Sequence, residues 1–267
     1  MQLMSTASPT SAALPVGPLL REWRNRRRVS QLDLSSETGV STRHLSFIET
    51  GRARPSRDMV MRLAEYLELP LRDRNALLLA AGYAPEYTQT PLSAESMRDV
   101  RRSLQSLVDA HQPCPALVAD HAWNLVLAND AALAFAEGVP DELMTDPINI
   151  IRLVMHPAGL RSRVANFADY SEHVLIRLQR QLRATGDPAI RELIRECQSY
   201  PGVGRTHGST HAIAPVLALR LATGDDILSF FTVVSTLGAA YDVTLDEIVI
   251  ESFFPADAAT AQAIGMR

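Results

Sequence analysis

Apolar residues recur at helical spacing through the first third of the chain, then give way to shorter alternating runs. Ser30 stands before Gln31 with Asp33 three residues on, the pattern of a reciprocally capped helix start. Gly39 marks the exit from that helix, where a left-handed residue is needed and a Cβ is unfavourable. Val40 plugs the turn and Ser41 caps a second helix. In that helix Leu45 and Ile48 face inward while Thr42, Arg43, Ser46 and Phe47 share the opposite side. Two trailing helices are signalled by SRDMVMRLAEYLELP and LRDRNALLLAAGY. With the leading helix around Arg24, the expected unit is all-α, with five helices over 15–84.

Gly82 and Pro85 end this rhythm, and 85–110 reads as a linker followed by a bridging helix. That helix is capped near Ser93, with Met97, Val100, Leu104, Leu107 and Val108 as its inward stripe. In PALVADHAWNLVLAN two short strands flank a turn at Asp120 to Ala122. Helices then follow in AALAFAEG, NIIRLVMHP, a long stretch from Leu160 to Ala184, and PAIRELIRECQSY. Strands return in IAPVLALRLAT, DDILSFFTVVSTLG and EIVIESFFPAD. Strands first, helices in the middle and strands last predict an α+β domain over 111–257, with one mainly antiparallel sheet and helices packed across it. Residues 1–14 read as a disordered tail from their Ser, Thr, Ala and Pro content, and 258–267 as a C-terminal tail.

Charge divides along the same boundary. Met1 to Pro85 carries 12 Arg against 8 Asp plus Glu, and the remainder 14 against 22. A basic front and an acidic rear confine any phosphate-binding surface to the first unit. Every cation is an arginine, since the sequence has no lysine. The two cysteines, Cys114 and Cys197, are too few for a disulfide framework and fit a reducing, cytoplasmic setting. No apolar run reaches the ~18 residues of a membrane span.

The stretch Arg21 to Pro55, with the trailing helices, resembles the helix-turn-helix of the Cro/phage-repressor (XRE) family, a lambda-repressor-like DNA-binding domain. The resemblance implies base reading by Thr42, Arg43, Phe47 and Ser46. It implies phosphate contacts from Gln31, Arg52, Arg54 and Ser41, and a structural ion pair between Arg24 and Glu49. Arg43 suits a guanine through two hydrogen bonds, whereas Phe47, where a polar residue is usual, offers apolar contact.

A second resemblance rests on PALVADHAWNLVLAND, NIIRLVMHPAGLR, YPGV and LSFFTVVSTLGAAYDVTLDEIVIESFFPAD, over about Glu95 to Asp257. These blocks resemble the C-terminal domain of MmyB-like transcription regulators, which implies a PAS-like ligand-binding domain and, for some members, a fatty-acid-like effector. On the long helix Asn166, Tyr170, His173 and Arg177 fall at i, i+4, i+7 and i+11, either a solvated flank or the polar rim of a cavity. The ligand candidates are Arg161 and His156 as anchors, Trp123 and Phe167 as walls, and Tyr170 and Arg177 on the rim.

Other chemistry has little support. His207 and His211 with Cys197 suit zinc only in a helix or a tight loop with a third ligand, and GVGRTHGST reads as an irregular loop, so no metal site is expected. Gly202, Gly204 and Gly208 miss the dinucleotide spacing. The expectation is a non-enzymatic, cytoplasmic, homodimeric transcriptional regulator with no required cofactor. It binds a double-stranded operator and senses a small apolar ligand. Two rivals are a rear domain that is a ligand-free dimerisation or protein-interaction module, and a DNA-tethered enzyme.

Overall fold

The computed structural model describes residues 15–203, 216–224 and 226–266, and the chain divides into two compact units, Met1–Thr88 and Gln89–Arg267. In the first, α1 (Val16–Arg26), α2 (Gln31–Thr38), α3 (Thr42–Glu49), α4 (Arg57–Tyr66) and α5 (Leu71–Ala80) form an all-α unit. Its core joins Leu20 and Trp23 of α1 to Leu34, Leu45, Ile48, Leu63, Leu77 and Leu78, all buried. The capping box at α2 is formed: Ser30 Oγ accepts from the Asp33 amide at 3.0 Å, and Asp33 accepts from the Ser30 amide at 3.2 Å. Gly39 ends α2 at φ +69°, in the left-handed region. Residues up to Thr88 belong to this unit, because the Asn75 side chain accepts from the amides of Glu86 and Tyr87 and donates to the Tyr87 carbonyl.

The second unit is α+β. After α6 (Arg98–Asp109) come β1 (Ala116–Ala119), β2 (Leu125–Ala128), α7 (Asp130–Ala134), α8 (Ile150–Met155), α9 (Phe167–Thr185) and α10 (Pro188–Ser199). Then follow β3 (Leu219–Thr223), β4 (Asp226–Thr236), α11 (Val243–Asp246), β5 (Val249–Pro255) and α12 (Ala258–Ala263). The five strands form one sheet in the order β2-β1-β5-β4-β3, antiparallel at every pairing. Strand alternation sorts its faces. Ala116, Val118 and Ile250 meet Leu104 and Val108 of α6 on one side. Leu117, Ala119, Leu219, Leu221, Phe230 and Phe253 turn to the other, where α8, α9 and α10 complete a larger core.

Three expectations about elements need correction. The helix expected to bridge the units packs on the sheet within the second, and Leu107 of its supposed inward stripe is 48% exposed. The long helix expected from Leu160 is interrupted. A short 3-10 turn spans Leu160–Arg163, Val164 bridges Leu221 of β3, and α9 begins only at Phe167. The Ala165 amide donates to Arg220, and the Asn166 side chain accepts from the Arg220 amide and donates to Ala218, so pairing with distant backbone replaces a helical turn. Finally, 258–267 is not a tail throughout: α12 packs against β4, and its buried Thr260 hydroxyl accepts from the Ser229 amide at 2.9 Å. The tail expected over 1–14 lies outside the described residues.

Candidate functional sites

The first site is the outward face of α3. Burial of Leu45 and Ile48 fixes the roll of this helix and leaves Thr42 and Arg43 exposed, with Ser46 and Phe47 partly so. The Arg43 guanidinium lies 5.4 Å from the Phe47 ring centroid, so the two form one continuous surface. Ser41 caps α3 by accepting from the His44 amide at 3.3 Å and remains exposed.

Beneath that surface sits a charge network. Arg24 Nε donates to Glu49 Oε1 at 2.7 Å, its Nη2 to Oε2 at 3.0 Å and its Nη1 to the Val29 carbonyl at 2.9 Å. Gln31 Nε2 also donates to Glu49, at 2.8 Å, which commits one of its N–H groups. Burial pushes the Glu49 carboxyl up, but the hydrogen bonds from Arg24 and Gln31 and the charges of Arg24 and Arg21 more than offset it, leaving the group below the usual carboxylate range. Gly17 of α1 lies against the carbonyls of Ile48 and Glu49, so α1 and the end of α3 meet backbone to side-chain-free backbone.

The two arginines past α3 differ in employment. Arg52 is exposed, with no side-chain bond among the described residues. Arg54, expected on phosphate, engages the end of α5: its Nε donates to the Ala81 carbonyl at 2.7 Å, its Nη2 donates to the Gly82 carbonyl at 3.0 Å, and it covers Tyr83. This is a cation on the exposed carbonyls of a helix C-terminus.

The second site is a cavity of about 90 Å³ between the sheet and α7 to α9. A single water needs only ~10–15 Å³ measured this way, so the space suits a small organic group. Leu117, Leu125, Phe135, Ile150, Met155 and Leu221 are among its walls. Its polar members among the described residues are Tyr170, Arg177 and Glu251. Arg177 Nη1 donates to Glu251 Oε1 at 2.8 Å, with side-chain exposures of 21% and 4%. Burial opposes the Arg177 charge, and Glu251 more than restores it. Burial also pushes the Tyr170 phenol well above its ordinary range.

Of the six residues expected in the pocket, Tyr170 and Arg177 line it and the other four lie elsewhere. Trp123 lies behind Arg177, its ring 4.2 Å from the guanidinium, and its indole N–H donates to Gln181 at 2.8 Å. Arg161 covers Phe167 at 4.6 Å, and His156 meets Tyr200 edge to face at 5.0 Å. The flank on α9 is thus split: Tyr170 and Arg177 rim the cavity, His173 is exposed, and Asn166 holds the β3 approach. Glu251 was absent from the sequence-based candidates. Its signal was a lone carboxylate in IVIESFF, at a register facing the same side as Phe253.

Alternative chemistry gains nothing from the geometry. Among the described residues no three His, Cys, Asp or Glu side chains converge as a metal site, and His207 and His211 lie outside those residues. Burial raises the Cys197 thiol to about 12, which keeps it protonated. No helix among the described residues is long and apolar enough to cross a membrane.

Residues 100–265, which contain the cavity and the entire sheet, match the model of the MmyB-like transcription regulator ligand binding domain. The chain belongs to that family. In front of the MmyB-like domain, residues 16–77 match a helix-turn-helix domain. The chain therefore joins a DNA-binding module to a ligand-binding domain of transcription regulators, the second PAS-like in form. It is similar to uncharacterized HTH-type transcriptional regulators of Mycobacterium bovis and of two Mycobacterium tuberculosis strains, each 34% identical over 96 residues. That alignment covers 36% of this chain and 38% of each relative.

Proposed function

We propose that this MmyB-like protein is a cytoplasmic, one-component transcriptional regulator that reads an operator through α3 and takes a small apolar effector in the cavity of its second unit. What carries the reading is the presence in one chain of the exposed Arg43–Phe47 face and a mostly apolar internal cavity. Thr42, Arg43, Ser46 and Phe47 contact base edges. Ser41, Arg52 and the second amide N–H of Gln31 position the helix on phosphate. The protein acts as a homodimer whose two reading helices occupy successive major grooves of a pseudo-palindromic operator. Effector binding shifts operator affinity by the difference in effector affinity between the two states.

Selection from random DNA at fixed salt tests the reading. A two-fold symmetric motif is expected. Arg43→Ala should cost ~1–3 kcal/mol at one base position, while Arg52→Ala should weaken all sequences alike and lower the salt slope by about 1. Absence of any sequence preference overturns the regulator reading. Native mass spectrometry and thermal shift with uncharged apolar probes test the effector. A clean apo mass and no shift with any probe would leave the second unit as a ligand-free dimerisation or interaction module.

A further inference from the structure

We infer that the effector of this cavity is an electrically neutral aliphatic molecule with one hydrogen-bonding head group, an alcohol or ester rather than a free carboxylate. This rests on the ligand-binding reading above and specifies its chemistry.

The walls are apolar apart from Tyr170, Arg177 and Glu251, so any ligand charge must be matched by these three side chains. Arg177 is the one cation among the described lining residues, and Glu251 already engages it at 2.8 Å. A carboxylate brought to the guanidinium would lose its hydration and then lie close to a second carboxylate, whose side chain is 4% exposed and so little screened by water. A ligand cation meets the mirror-image problem at Arg177. The ion pair therefore gives the cavity a polar end of zero net charge.

A neutral head group fits that end. Arg177 Nε is buried without a hydrogen-bond partner, so Glu251 does not saturate the guanidinium. Tyr170 stays protonated through burial, and its hydroxyl makes no hydrogen bond among the described residues. A hydroxyl or ester oxygen can accept from the Tyr170 hydroxyl, and an alcohol can also donate to Glu251. Arg161 and His156, which a free carboxylate would have used, stand outside the cavity.

The test uses the full-length protein at neutral pH with three straight-chain probes of matched length: the carboxylic acid, the primary alcohol and the methyl ester. The alcohol or ester is expected to bind at least ~10-fold more tightly than the acid, about 1.4 kcal/mol by the affinity relation. Glu251→Gln, checked for folding by circular dichroism, frees the Arg177 charge and should narrow or reverse that gap. The wild-type ranking decides on its own if the variant does not fold. Acid binding equal to or tighter than alcohol binding in the wild type overturns the neutral-ligand inference and leaves the apolar-effector reading intact. Failure of all three probes to bind overturns both.

Discussion

Glu49 holds the first unit together by serving Arg24 and Gln31 at once from a side chain that is 3% exposed. Removing it leaves a guanidinium with an 11% exposed side chain short of its counter-charge. Glu49→Ala is expected to destabilise the first unit by ~3–5 kcal/mol, the usual cost of stranding one partner of a buried pair; a urea melt of the isolated transition measures it. The pair also sets a pH limit. Because the folded carboxyl sits below its ordinary range, its contribution is complete above the unfolded glutamate value, ~4.3, and is lost as pH falls through the lower folded value. Glu49→Gln should flatten that acid limb in a melting-versus-pH series. Arg54 offers a contrast at the same scale. Its bonds to Ala81 and Gly82 predict that Arg54→Ala lowers first-unit stability, by about 1 kcal/mol given its exposure, whereas Arg52→Ala leaves the melt unchanged.

At the scale of elements, local chemistry was legible and long-range pairing was not. Ser30, Asp33, Gly39 and Ser41 act on neighbours within a few residues, so their pattern announces α2 and α3 directly. The short strands and their order of appearance were equally readable, because alternation is local. Val164 looks like any apolar position on a helix, and only Leu221, far along the chain, turns it into a bridge residue. Glu251 escaped for a related reason: alternation assigns a residue to a face, but not which face encloses space. The bonds from Arg54 to Ala81 and Gly82, just past α5, went unforeseen because sequence spacing does not bring those carbonyls near it. Close packing of elements carries its own expectation. A Cβ on Gly17 would press into the carbonyls of Ile48 and Glu49, so Gly17→Ala should cost ~1–3 kcal/mol as α1 shifts away from α3, read as a lower first-unit melting temperature.

For the whole molecule, separate cores in Met1–Thr88 and Gln89–Arg267 imply two unfolding transitions in calorimetry. A cavity ligand should raise the second by RT ln(1 + [L]/Kd) and leave the first in place; a single cooperative transition shifted as one would contradict this separation. The division also distributes the chain's two tryptophans evenly, Trp23 in the core of the first unit and Trp123 beneath Arg177 in the second. Replacing Trp23 with Phe would therefore leave one tryptophan, selectively excitable over the tyrosines, its ring 4.2 Å from the guanidinium that rims the cavity. Its emission would register any rearrangement of that cation without a label, turning the stacked pair into an optical gauge of occupancy.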